Sequence, residues 1–381
     1  MYSHATGVIL ANYGPSWKDH RRFALMTLRN FGLGKQSMEQ RILGEVSHIT
    51  TCLEKSVGQS MSPQTLFHKA GSNIICSILF GVRYDYEDSF LVSLISMFTE
   101  NAKIANGFRR SSSGRHSYNQ CLPLPFRRAF RNTDILKKMA NNMISEHKKT
   151  RTPGEPRDFI DCYLDELEKV GDDGSFHESQ LVMYILDLHF AGTDTTSNTL
   201  LTAFLYLSTH PDVQERCQQE IDEVLQDNKC PSFEDRHKMP YVQAVIHESQ
   251  RVGDIVPLRV FHSTVTDTEL MGYNIPKVRT RFDCKYIWKF PHEFNPSNFL
   301  DDQGQFVKPE AFVPFSVGPR MCLGEGLARM ELFLILVCLL QRFKFVWPED
   351  AGEPDYTPVF GVTMSPRPYK ISVKLRNNKL N

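Results

Sequence analysis

The chain has 381 residues, with 44 Lys plus Arg against 44 Asp plus Glu, so no global field favours nucleic acid or a strongly charged partner. Its nine cysteines include no Cys-x-x-Cys pair, which argues against a disulfide framework and a zinc site and for a reducing compartment. The longest apolar run, Leu332 to Leu340, has nine residues. That is too short to span a bilayer, and the opening residues lack the apolar stretch of a signal peptide, so the sequence reads as a soluble or peripheral polypeptide.

In chain order, Trp17-Lys-Asp-His-Arg21 puts an aromatic donor and a cation on one helical face, a pattern that also arises by chance. Phe108 to Gln120 is basic and Ser-rich, the composition of an exposed loop. Ser175-Phe-His-Glu178 predicts a capping box. The apolar stretch from Leu181 to Leu207 that follows predicts a helix crossing the middle of a domain. Inside it lies Ala191-Gly192-Thr193-Asp194-Thr195-Thr196. A mid-helix Gly costs about 0.5–1 kcal/mol against Ala, and Asp and Thr are poor helix formers. Such a local violation is expected at a functional site. Gly192 leaves room for a small ligand, Thr195 can hydrogen-bond dioxygen or water, and Asp194 can relay protons. The alternative is a helix contact that needs small residues.

Pro211 opens a second helix with Val213, Cys217, Ile221, Val224 and Leu225 on one face. Tyr241 to Val252 predicts another, in which Glu248-Ser-Gln-Arg251 alone reads as a surface pair worth a few tenths of a kcal/mol. Val265 to Ile275 predicts a hairpin turning at Met271-Gly272, Leu327 to Arg342 a last helix, and Val359 to Leu375 more strand. The class is mainly α with a minor β part, in a single domain over residues 1–381.

Cys322 stands in Phe315-Ser-Val-Gly318-Pro-Arg320-Met-Cys322-Leu-Gly324. The two glycines permit turns and a close approach, and Arg320 places a cation near the sulfur. A Cys on a tight loop at a helix N-terminus near a cation is expected to have a lowered pKa. The thiolate is the form that ligates haem iron. A buried structural thiol is the commoner fate of a lone Cys, and the whole pattern stands against it.

That pattern, Phe-x-x-Gly-x-Arg-x-Cys-x-Gly, resembles the haem-binding loop of the cytochrome P450 monooxygenases. The segments Trp17 to Arg21, Ala191 to Thr196, Glu248 to Arg251 and Phe294-x-Pro296-x-x-Phe299 match the family's other motifs in order. The resemblance implies the P450 fold, with haem b between the long central helix and the helix after the Cys loop. It implies Cys322 as the iron ligand and Asp194 and Thr195 as the proton-delivering pair. Ala191, Phe315 and Gly324 become cofactor-binding positions. Trp17, Arg21, His262 and Arg320 become donors to the haem propionates, which need charge-assisted partners in an apolar pocket. Glu248 and Arg251 become a buried scaffold pair. Asn298 stands where the family often has Arg or His, which leaves the third link of that network open.

Arg21 to Gly34 and Glu155 to Asp161 look like the microsomal family-2 enzymes. These oxidise xenobiotics, steroids or fatty acids at the cytoplasmic face of the endoplasmic reticulum membrane. Their electrons come from NADPH–cytochrome P450 reductase, with cytochrome b5 as a further partner. By the same resemblance the chain starts near the family's third main helix, without the membrane anchor or first strands, so that the hairpin keeps an unpaired edge. Phe108 to Gln120 replaces an apolar stretch, and Val278 to Ile287 is shorter than and unlike its counterpart. Phe190, Ala191, Ile255, Val256, Leu258, Phe360 and Val362 are pocket candidates for a lipophilic substrate, and Lys18, Arg21 and Arg22 form a basic face for the reductase. Two other readings stay open. One is a non-catalytic haem-binding or unstable fragment. The other is a reductase-independent enzyme that rearranges peroxides, against which the Asp194-Thr195 relay speaks.

Overall fold

The computed structural model describes residues 7–31, 36–109, 126–171, 174–226, 229–257, 260, 264–270, 272–275 and 288–376. Among them the helices are α1 (Pro15–Asn30), α2 (Gln36–Glu54), α3 (Gln64–Leu79), α4 (Ser89–Arg109), α5 (Phe126–Thr150), α6 (Phe159–Val170), α7 (Glu178–Thr209), α8 (Pro211–Val224), α9 (Pro240–Gly253) and α10 (Glu325–Arg342). The strands are β1 (Ser60–Met61), β2 (Thr268–Leu270), β3 (Tyr273–Ile275), β4 (Phe343–Val346) and β5 (Ile371–Leu375). The mainly α class with a small β part holds. No helix among the described residues is long and apolar enough to cross a membrane.

α7, 32 residues long, runs through the centre. Its second half buries Leu200, Leu201, Phe204, Leu205 and Leu207, as a helix apolar on all sides must. α10 is of the same kind, with Leu332 to Val337 all buried, and it packs between α2, α7 and α8. β4 continues straight from α10 and pairs antiparallel with β5, Phe343 opposite Leu375 and Val346 opposite Ser372. β1 closes the other side of β5. Phe343 and Phe345 face the core while Lys344 and Val346 are half-buried, the two-residue alternation of a half-covered strand. β2 and β3 form the expected hairpin, with Gly272 in its turn at φ +81°.

Two local expectations are corrected. Ser175 is not the cap of α7. The cap residue is His177, without a side-chain cap bond, and the Ser175 carbonyl instead meets His20 Nε2 at 2.9 Å. Burial along α7, rather than capping, therefore holds its start. Gly192 does not make room for a ligand. A β-carbon there would run into Ile75 Cδ1 of α3, and one at Gly71 would lie 2.8 Å from Ser197 Oγ. The small residues serve close passage of α3 past α7, the helix-contact alternative. Phe108 and Arg109 belong to α4, while 110–120 and 278–287 lie outside the described residues.

Candidate functional site

The loop ahead of α10 is folded on itself. The Cys322 amide donates to Phe315 O at 2.8 Å and the Met321 amide to Gly318 O at 3.0 Å. Gly318 takes φ +78° and Ser316 φ +65°; the second is uncommon for a residue with a β-carbon and marks a strained turn. Gly324 caps α10, and a β-carbon on it would meet nothing within 4 Å, so no neighbour among the described residues explains a glycine at that position. The amides of Gly324 and Glu325 point at the sulfur.

The thiol's pKa is raised, against the expectation of a lowered one. Burial is the largest cause, Glu325 adds to it, and the two amides with the Arg21 charge oppose it without winning. The side chain is nevertheless exposed by surface area. Protein mass surrounds a sulfur that water still touches, and the contact with water limits the shift. Without a metal the thiol keeps its proton.

Trp17, Arg21 and Arg320 come together beside this loop. Arg21 Nη2 donates to Met321 O at 2.6 Å, and the Arg320 guanidinium lies 4.2 Å from the Trp17 ring centre while donating to Ala11 O at 2.6 Å. Among the described residues neither arginine has a carboxylate partner. Burial weighs against both charges, and Arg21 adds to the cost at Arg320. Trp17 departs from expectation, since its indole N–H donates to Val8 O at 3.1 Å. His262 and Leu258 lie outside the described residues.

On α7 the burial breaks in mid-helix. Phe190, Ala191, Gly192, Asp194 and Thr195 are half-buried between fully buried turns. Thr195 Oγ1 donates to Ala191 O at 2.7 Å. Asp194 Oδ1 lies 3.4 Å from His68 Nε2, and Asp194 Oδ2 accepts from the Thr363 hydroxyl. Phe360, 72% exposed, and Val362 present apolar surface, whereas Ile255 is buried and its carbonyl accepts from the Met364 amide at 2.7 Å. His68 and Thr363 were missed by sequence reasoning, because a lone His and a lone Thr in separate segments carry no pattern.

Glu248 is fully buried. Arg251 Nε and Nη2 meet its two oxygens at 2.7 and 2.8 Å. Arg251 also donates to Pro291 O and Glu293 O, tying α9 to the segment before Phe294. Asn298 supplies the third link, its Nδ2 lying 3.2 and 3.3 Å from the Glu248 oxygens.

The sequence profile described as Cytochrome P450 matches residues 1–373. The chain is 43% identical over 380 residues to cytochrome P450 2D15 of Canis lupus familiaris, covering 97% of this chain and 76% of that protein. It is 40% identical over 384 residues to cytochrome P450 2D1 of Rattus norvegicus, covering 98% of this chain and 76% of that one. The chain belongs to the cytochrome P450 family. It is accordingly a P450 monooxygenase, with haem held through a cysteine thiolate as its cofactor.

Proposed function

We propose that Cys322 is the iron ligand and that the chain inserts one oxygen atom from dioxygen into a lipophilic small molecule, of the xenobiotic, fatty acid or steroid kind. The observation that carries the assignment is the loop itself: a water-touched thiol under two backbone amides, with two guanidiniums beside it that lack carboxylate partners among the described residues. That donor set fits a haem, whose iron takes the sulfur and whose two propionates need cations. When bound, the haem supplies the electron chemistry that activates dioxygen.

Arg21 and Arg320 would hold the propionates, each with N–H groups to spare beyond its one backbone bond. Trp17 supports them through its ring rather than through its N–H. His262 is kept as a further propionate donor on the resemblance alone. Gly324 and Phe315 of the Cys loop and Ala191 of α7 would border the haem. Thr195 holds a proton at Oγ1 and Asp194 renews it from solvent. Phe360 and Val362 offer the apolar lining that a lipophilic substrate needs.

Electrons come from NADPH through cytochrome P450 reductase, with cytochrome b5 as a second donor, at the cytoplasmic face of the endoplasmic reticulum. Lys18, whose ammonium lies 5.0 Å from the Tyr13 ring centre, and the exposed Arg22 belong to the docking face. One apolar cluster extends from Val8 to Val373, which supports a single domain.

The test is the spectrum of the reduced, haem-loaded protein under carbon monoxide. A strongly red-shifted Soret band is expected in the wild type and none in Cys322→Ser. A wild type without that band would remove Cys322 from iron. NADPH-dependent product formation with added reductase then separates oxygen insertion from reductase-independent peroxide chemistry.

A further inference from the structure

Asp194 is held from two sides, and neither partner belongs to the Cys loop or the cofactor-facing residues. On one side its Oδ1 faces His68 Nε2 of α3 at 3.4 Å. On the other its Oδ2 accepts from the Thr363 hydroxyl, and Thr363 Oγ1 in turn accepts from Asn198 Nδ2 at 3.2 Å. Asn198 is one helical turn beyond Asp194 on α7, so a single turn of that helix supplies both the acid and the group that steadies its anchor.

The tautomer of His68 follows from its other nitrogen. Nδ1 lies 2.9 Å from Gln64 O, and a carbonyl only accepts, so Nδ1 carries a proton. Nε2 then bears a second proton only in the imidazolium. The neighbouring cation on α3, Lys69, is turned to Glu87 at 2.8 Å, which leaves Asp194 to His68. The His68 and Asp194 side chains are 16% and 15% exposed, so water reaches the pair. His68 stands in the first turns of α3, whose opening residue Gln64 donates to Arg367 O at 3.3 Å.

We propose that His68 is the positioning residue through which Asp194 takes up protons from solvent. This rests on the reading of Asp194 and Thr195 as the proton-delivering pair. In the transfer the Nε2–H bond of the imidazolium breaks and an O–H bond forms at Asp194 Oδ1. The neutral imidazole keeps its Nδ1 proton on Gln64 O and regains one at Nε2 from water. No electrons move. The ion pair becomes a neutral pair, so the attraction that held the carboxyl against α3 is lost at the moment it becomes an acid. Among the described residues, the Thr363 bond then restrains it from turning toward Thr195.

The test uses the haem-loaded enzyme and two readouts. Histidine-labelled NMR of the ferrous carbon monoxide complex, with the resonance assigned through His68→Gln, reads the surroundings of the His68 ring. The His68 ring resonances are expected to move in Asp194→Asn, because the carboxylate 3.4 Å from Nε2 is lost; unmoved resonances overturn the pairing. In turnover, His68→Gln keeps a polar side chain of similar reach but cannot titrate. Product per NADPH is expected to fall about tenfold, with water replacing part of what a positioned proton donor contributes. Turnover driven by added hydrogen peroxide, which brings its own protons, stays within about twofold. Full coupling in His68→Gln, or a parallel loss of the peroxide-driven rate, overturns the proposal. If Thr195→Ala uncouples the same enzyme and the red-shifted band is intact, that failure belongs to His68 alone and the reading of the site stands.

Discussion

Asn298 completes a buried network around Glu248 with a neutral amide. Its Nδ2 reaches both carboxylate oxygens, and its Oδ1 accepts from the Phe290 amide at 2.9 Å. One side chain thus both satisfies a buried anion and fixes the segment that Arg251 grips through Pro291 O and Glu293 O. Removing one partner of a buried ion pair costs about 3–5 kcal/mol, because the other charge is left unpaired, whereas losing a neutral donor to a charged group costs about 1.5–3 kcal/mol. Glu248→Ala is therefore expected to unfold far more readily than Asn298→Ala in urea titrations and to retain less haem. Equal losses in the two variants would mean that the amide, not the ion pair, carries the joint.

Gly192→Ala tests what the glycine is for. If α3 needs the space, overpacking against Ile75 costs about 1–3 kcal/mol. Ile75→Val removes the Cδ1 atom that the new methyl would strike, so the double variant is expected to regain part of that loss. Contacting residues couple by about 0.5–3 kcal/mol, and thermal unfolding of the four proteins measures it. Additive losses would point back to a ligand beside Gly192.

Thr195→Ala removes the hydroxyl that now donates to Ala191 O. A side chain back-bonded within its own helix gives little to stability, so the variant is expected to fold and bind haem normally. It is also expected to consume NADPH with less product and more peroxide, and Thr195→Ser to recover most of the coupling. Unchanged coupling in Thr195→Ala would take the hydroxyl out of proton delivery.

Much of this was legible in the chain. The apolar runs of α7 and α10 exceed what an amphipathic surface helix shows, and the Cys loop, Glu248 with Arg251, and the hairpin at Gly272 stand where their patterns predict. What was not legible depends on partners distant in sequence. The Cys322 thiol lies near a cation, yet its pKa follows the protein mass around it, which no spacing encodes. Gly192 reads as a ligand niche until Ile75 of α3 fills the space. His68 acquires meaning only through Asp194, and the Trp17 N–H is taken by Val8 O from a segment without any motif.

His147 and Asp158 join α5 to α6, with Nε2 and Oδ2 2.8 Å apart, and Asp158 also caps α6 by accepting from the Asp161 amide at 3.0 Å. Burial alone would depress the imidazole, but the bond to Asp158 and its charge outweigh it and raise the pKa. A raised basic group stabilises fully below its unfolded pKa near 6.5, and that contribution fades as pH rises through the folded value. Asp158→Asn keeps a capping oxygen and removes the charge. It should cost about 1.5–3 kcal/mol at pH 6 and clearly less at pH 9, read by thermal unfolding at each. A loss independent of pH would assign the effect to the cap.

Glu331 of α10 gives the opposite slope. The residue is 1% exposed, its Oε1 has no partner among the described residues, and among them the Thr196 side chain of α7 is the contact that favours its charge. Burial pushes its pKa up to about 8 against that contact. The unfolded carboxyl ionises near 4.5, so between the two values the folded state binds more protons and stability falls as pH rises. At pH 7 the cost is about 3 kcal/mol, at 1.36 kcal/mol per unit. Glu331→Gln keeps the shape without titrating. Its stability relative to the wild type should therefore rise steadily from pH 5 to pH 8. A difference that stays flat across that range would mean the carboxylate ionises in place, with water reaching Oε1 between α7 and α10.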